Sequence, residues 1–296
     1  KIFYKREVEL EYLPIHAKDK FYILTNYKAK NFRIMESDLE DTNKKNWREV
    51  IAHRPDILIE DVDISKDYLI LSEVENGLNK INIFKRDSLE NFYLPSKEEV
   101  YVSYIGTNHD YESGILRYGY QSMTTPSSIY DYTIKNQSEE LKKQQEILGD
   151  FRKENYVTKR IFFKSYDCKD IPVSLVYNKN TKINSKTPLL LYGYGSYGHS
   201  IPPSFSSSRL SLLDRGFIFA VAHIRGGSEM GRSWYEDGKM LNKKNTFKDF
   251  INVGKYLISN NYTSKNHLYA YGGSAGGLLI GAVINMDSSL FNGVIS

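Results

Sequence analysis

Apolar positions along the chain follow two regimes. In the first half they form short runs separated by polar turns, and three of these resemble one another: residues 21–26 (FYILTN), 68–73 (YLILSE) and 116–121 (LRYGYQ). Their starts lie 47 and 48 residues apart (21 to 68, 68 to 116). Each is followed, past a polar turn, by a second alternating run at residues 31–35, 80–84 and 128–132, so each unit supplies a hairpin. Residues 56–60 and 100–104 add further strand candidates. A period in the forties built from short strands predicts propeller blades, each too small to bury its own face alone. About three blades are visible. Propellers close with roughly four to eight blades, so three form a partial β-propeller. A plain antiparallel sandwich with coincidental spacing is the alternative.

Between Thr133 and Tyr156 the composition turns polar and charged without apolar periodicity, which reads as a linker between two domains, 1–145 and 146–296. The pattern then changes. Residues 160–163 and 171–177 read as an antiparallel entry, and residues 188–192 and 217–222 as buried strands. From about Thr246 the apolar positions Phe247, Phe250, Ile251 and Leu257 keep to one face at a 3.6 period, predicting a helix. A short strand into Tyr271 and a helix-like stretch at 278–286 follow. Strands alternating with helices predict a mostly parallel sheet with chemistry at the carboxyl ends of its strands.

The joint between that last strand and helix reads Tyr271-Gly-Gly-Ser-Ala-Gly-Gly277. A serine raised on a sharp strand-to-helix turn needs small residues two positions before and after it, where neighbouring backbone passes. Gly272 and Gly276 occupy those places, which makes Ser274 the candidate nucleophile of a covalent acyl-enzyme mechanism. The backbone N–H of Ala275 is one candidate oxyanion donor. Tyr194, in the glycine-rich turn after the strand at 188–192, is the second, with packing at the strand end as its alternative.

None of the six histidines follows Ser274, whereas hydrolases of this type place aspartate or glutamate and then histidine after the serine. The expectation is that the chain, which begins at Lys1 and ends in an apolar run at Ser296, is cut at both ends and lacks its acid and base. His223 reads as structural and His199 as a loop residue near the mouth. Glu229, Glu236 and Asp237 read as solvated or ion-paired rather than pocket-lining.

Composition narrows the function classes. With 41% hydrophobic and 14% aromatic residues the chain can bury a substantial core. The 40 basic and 36 acidic residues are interspersed, giving +4, so nucleic-acid binding gains little support. The most basic run, Lys239 to Lys248, reads as a solvated face. No segment approaches the roughly 18 apolar residues of a membrane span. The single cysteine, Cys168, reads as an unreactive loop thiol and fits a reducing, cytoplasmic setting. The six histidines show no metal-ligand spacing.

Taken together, the segments at 116–126 (LRYGYQSMTTP), 192–198 (YGYGSYG), 208–216 (SRLSLLDRG), 225–229 (RGGSE), 234–239 (WYEDGK) and the serine turn resemble the prolyl oligopeptidase family of serine peptidases, most of all its oligopeptidase B branch. The resemblance covers essentially the whole chain. It implies a β-propeller gating an α/β-hydrolase domain, the latter present here in its first part. It further implies cleavage of short peptides after arginine or lysine, with Ser274 as nucleophile, Tyr194 and Ala275 as oxyanion donors, and no cofactor. One departure stands out: the branch's acidic pair after the tyrosine-glycine motif, which binds a second basic residue, is replaced by Ser200-Ile-Pro-Pro-Ser-Phe205. A hydrolase of post-proline, acyl-peptide or ester specificity, or an inactive propeller-containing remnant, are the alternatives.

Overall fold

The computed structural model describes residues 2–296 and contains two units. The first is three consecutive four-stranded antiparallel meanders, the second and third joined into one eight-stranded sheet by a parallel bridge between Asn79 and Val102. Strands β1 (Tyr12–Ala17), β2 (Lys20–Thr25), β3 (Arg33–Asp38) and β4 (Arg48–Ile51) form one blade. The second comprises β5 (Ile57–Ile64), β6 (Tyr68–Glu75), β7 (Leu78–Lys85) and β8 (Asn91–Tyr93), and the third β9 (Tyr101–Ile105), β10 (Ile115–Ser122), β11 (Ser128–Thr133) and β12 (Ser138–Gln144). The repeating runs of the sequence are the second and third strands of each blade. The blades do not close into a ring.

Their stacking explains why the repeats are so apolar. In β6, Leu69 and Leu71 pack toward the first blade with Leu24, Ile34 and Ile51, while Ile70 faces the third with Leu116, Tyr118 and Tyr120. A strand buried on both faces needs a continuous apolar run rather than an alternating one. The two-residue turn Asn76-Gly77 between β6 and β7 has positive φ at both positions (51° and 70°), the backbone twist that asparagine and glycine tolerate and that matches the flanking strands.

The linker expectation needs correction. Residues 138–144 are not a connection but β12, the outer strand of the third blade, in register with β11 from Thr133↔Ser138 to Ser128↔Gln144. All seven residues are exposed. An outermost strand with solvent on both faces carries no hydrophobic period, so its pairing left no trace in the composition.

The second unit is one six-stranded sheet, in the order β13-β14-β16-β15-β17-β18. Its elements run β13 (Tyr156–Lys164), β14 (Asp170–Asn178), β15 (Leu189–Tyr192), α1 (Ser207–Leu213), β16 (Ile218–Ala222), α2 (Arg232–Glu236), α3 (Lys244–Ser259), β17 (Leu268–Tyr271), α4 (Ala275–Met286) and β18 (Gly293–Ile295). The first pairings are antiparallel and β16, β15, β17 and β18 are parallel. The apolar stripes of α3 and α4 bury one face against Leu189, Leu191, Ile218, Ala220 and Ala270. The other face packs against α1 and, through Val100 and Met123, against the third blade.

Polar contacts tie the two units together. The Asn31 side chain accepts from the Arg232 N–H at 2.8 Å, and Arg232 pairs with Glu11 at 2.9 Å. The Arg160 guanidinium, nearly buried, donates to the carbonyl of Asn76 at the hairpin tip, and burial pulls its pKa down to about 10. No helix among the described residues is long and apolar enough to cross a membrane.

Candidate active site

The parallel strands β15 and β17 are neighbours in register, with Tyr192 opposite Tyr271. Two residues beyond the first lies Tyr194, and three beyond the second lies Ser274, so the pairing brings both to one carboxyl edge of the sheet. Ser274 is the residue before α4 and sits at φ 55°, ψ −120°, a combination that side-chain-bearing residues rarely adopt and that costs of order 1–3 kcal/mol.

The glycines make this turn possible. A Cβ on Gly272 would lie 2.2 Å from the Gly276 carbonyl oxygen, and one on Gly276 would lie 2.8 Å from the carbonyl oxygen of Gly193. The turn closes through Gly276 N–H to Gly273 O at 2.7 Å and Gly277 N–H to Ser274 O at 2.8 Å. With strand and helix this tight, the Ser274 side chain is exposed, and among the described residues no hydrogen bond engages its hydroxyl.

The contact between Gly276 and Gly193 sets the second half of the site. It places the first turn of α4 against the Tyr194 backbone, whose Cα would be 3.8 Å from a Cβ at position 276. Gly193 is hemmed in from behind as well, since a Cβ there would meet Phe250 at 2.7 Å and Leu279 at 3.0 Å. The half-buried Tyr194 ring packs edge-on against His199, with centroids 5.6 Å apart. Ala275 opens α4, and its N–H donates to no acceptor among the described residues. Ser274, Ala275 and Tyr194 thus share one edge, at the positive end of a twelve-residue helix.

Behind this edge lies a buried ionic support that the sequence reading missed. Arg225 is 1% exposed and its guanidinium bonds Asp249 at 2.6 and 2.8 Å and Asp167 at 2.5 and 3.2 Å. Burial disfavours its charge, but the hydrogen bonds of the two carboxylates outweigh burial and raise its pKa, whereas burial leaves the Asp249 carboxyl above the usual carboxylate range. The period of α3 did hint at this: Asp249 occupies a position on the apolar face, where a charge needs a partner.

The remaining candidates separate cleanly. His223 is fully buried, its Nε2 2.8 Å from Ser174 Oγ and its Nδ1 3.7 Å from Glu229 Oε1, a structural setting. Glu236 pairs with Lys30 at 2.5 Å. Glu229 is buried rather than solvated, at 3% exposure; beside its contact with His223, its Oε1 accepts the Ile201 N–H at 2.9 Å and so ties down the loop that follows Tyr194. Lys243 also departs from the solvated reading of its basic run. It is half-buried and donates to Gly195 O and Ser196 Oγ in the Tyr194 turn. Cys168 is an exposed free thiol.

A cavity of about 500 Å³ opens on the α1 face of the sheet, bordered by Tyr192, Ile201, Pro202, Arg209, Phe219 and Tyr271. Among the described residues no carboxylate lines it. Arg209 stacks over Phe219 at 4.2 Å and donates to Ser204 O at 3.0 Å, and burial pulls its pKa down to about 10.

Comparison with known proteins places this arrangement. Residues 1–145 match the family model for the prolyl oligopeptidase N-terminal beta-propeller domain, and residues 203–296, which include Ser274 and Ala275 but not Tyr194, match the model for the prolyl oligopeptidase family. The chain is 41% identical over 293 residues to dipeptidyl aminopeptidase BI of Pseudoxanthomonas mexicana, covering 98% of this chain and 40% of that protein. It is 35% identical over 280 residues to protease 2 of Moraxella lacunata, covering 95% of this chain and 40% of the relative. Among solved structures, oligopeptidase B from Leishmania major superposes with a TM-score of 0.93 at 34% identity, over 100% of this chain and 43% of that one. The chain therefore spans about 40% of the length of these curated relatives. Two family models in their expected order, together with relatives aligned across both units, show that the chain belongs to the prolyl oligopeptidase family.

Proposed function

We propose that this chain supplies the nucleophile and oxyanion donors of a serine peptidase acting on oligopeptides. The observation that carries the reading is the backbone of Ser274, held at φ 55°, ψ −120° between β17 and α4 by glycines where a Cβ would meet backbone oxygens at 2.2 and 2.8 Å. In the proposed reaction Ser274 Oγ attacks the scissile carbonyl carbon and its proton passes to a base. The carbonyl oxygen, now negative, is held by the Ala275 N–H and the Tyr194 hydroxyl. Collapse expels the amine, which takes up the proton, and water then hydrolyses the acyl-serine.

We assign the base and its acid to residues outside 1–296. Supporting this, no histidine among the described residues is hydrogen-bonded to Ser274, and His223 is committed to Ser174 and fully buried. The propeller unit, taken as 1–145 on the end of β12 at Gln144, is assigned the role of gate to the peptidase unit, taken as 146–296. A cytoplasmic setting accords with the free thiol of Cys168.

Cleavage after arginine or lysine is the specificity we assign, on the motif resemblance to the oligopeptidase B branch. A second reading, release of dipeptides, is favoured by one observation: a relative of 41% identity is a dipeptidyl aminopeptidase. Assaying the complete gene product against blocked arginyl and lysyl peptides and against unblocked peptides separates them. In either case Ser274→Ala is expected to lower kcat by at least about 10³-fold; full activity in that variant contradicts the assignment.

A further inference from the structure

The turn that carries Tyr194 has no regular secondary structure, yet its neighbours leave it little freedom. Gly195, the next residue, has φ 64°, and its own Cβ position is closed by Thr246 at 2.5 Å and Ile224 at 2.9 Å. Its carbonyl oxygen is so close to Gly226 that a Cβ there would sit 1.9 Å away. Into this arrangement reaches the ammonium of Lys243, from the residue before α3, bonding that same carbonyl and, at 2.8 Å, the hydroxyl of Ser196.

Lys243 forms no salt bridge among the described residues, although lysines elsewhere in the chain find carboxylates. Its aromatic neighbour Phe247 lies 5.9 Å from the ammonium. Burial pushes its pKa below that of an ordinary lysine, the mark of a charge carried into the protein without a counter-ion. A surface lysine avoids that cost by remaining in water. This one offsets it with two charge-assisted hydrogen bonds, both to the residues immediately after Tyr194.

We propose that Lys243 is a positioning residue for the oxyanion donor, fixing the Gly195 peptide and thereby the place of the Tyr194 hydroxyl relative to Ser274. The inference rests on the reading of Ser274 and Tyr194 given above. Gly193 is held from one side by Phe250, Leu279 and the start of α4, and Gly195 and Ser196 are held from the other by Lys243, so Tyr194 is fixed from both of its peptide neighbours. Without the ammonium, the Gly195 carbonyl is left buried without its donor, and the peptide that follows Tyr194 loses that restraint.

A double-mutant cycle in the complete gene product tests this. Lys243→Met is expected to lower kcat by about 10- to 100-fold with KM changed less than about threefold, as misplacement of a catalytic group does. In a Tyr194→Phe background the same change is expected to cost less than about threefold. Lys243→Arg, which keeps the charge and the donors, is expected to restore most of kcat, and Lys243→Gln, which removes the charge, carries the cycle if the methionine variant does not fold. Equal losses in both backgrounds, or an effect on KM alone, overturns the proposal. These results are distinct from failure of the underlying reading, which shows instead as an active Ser274→Ala variant or a fully active Tyr194→Phe variant.

Discussion

The buried guanidinium of Arg225 grips the carboxylate of Asp249 with bonds of 2.6 and 2.8 Å, joining the segment that follows β16 to α3. Asp249 is fully buried, and it also accepts the Arg225 N–H at 3.1 Å. Removing one partner of a buried ion pair leaves the other charge uncompensated, so Asp249→Ala is expected to destabilise the fold by about 3–5 kcal/mol. Urea unfolding measures this; a loss under about 1 kcal/mol shows that Asp167 alone satisfies the arginine.

Acidification is expected to weaken the fold through His223. Burial lowers its pKa in the folded state below its ordinary value near 6.5, with Glu229 opposing. As pH falls through about 6.5 the unfolded chain takes up a proton that the buried ring resists, so stability is full above that value and is lost below it, by up to ~1.4 kcal/mol per pH unit until the folded pKa is reached. The unfolding midpoint of His223→Gln is expected to vary less between pH 7.5 and 5.5 than that of the parent. Identical slopes would show that the ring titrates normally.

Much of this was legible in the sequence because burial imposed a pattern. The second and third strands of each blade, buried between neighbours, announced themselves at a period of 47 to 48, and the serine turn was legible because backbone contacts at Gly272 and Gly276 admit no side chain. Exposed β12 left no such imprint, and its polar run looks like a linker in the sequence. Lys243 was hidden for another reason. It lies in a run of lysines whose individual surroundings only the folded chain reveals, and the partner of Glu229 is a backbone amide, which has no sequence signature.

The glycine contacts give a sharper test of the turn itself. Gly272→Ala puts a methyl 2.2 Å from the Gly276 carbonyl oxygen, so α4 must shift away from β17. Activity of the complete gene product is expected to fall by more than about 100-fold, as misplacement by an ångström does, with the loss chiefly in kcat. Gly281→Ala, in the same helix with open space around it, serves as control and is expected to be neutral or slightly stabilising. Comparable losses in both variants contradict the role given to the turn.

The contact between units is expected to depend on Asn31. Its side chain accepts from Arg232 N–H at 2.8 Å and donates to Pro55 O at 2.6 Å, so Asn31→Ala leaves the Arg232 amide without its acceptor. Hydrogen exchange at residue 232 is expected to accelerate by at least about tenfold, while exchange in the β17 strand stays unchanged. No acceleration at 232 shows that other interface contacts suffice.

The central claim, that Ser274 is the nucleophile, is tested most directly by treating the complete gene product with a fluorophosphonate and locating the adduct by peptide mass spectrometry. The prediction is a single stoichiometric adduct on Ser274, formed in step with loss of peptidase activity and absent from Ser274→Ala. An adduct on any other residue, or inactivation that leaves Ser274 unmodified, contradicts it.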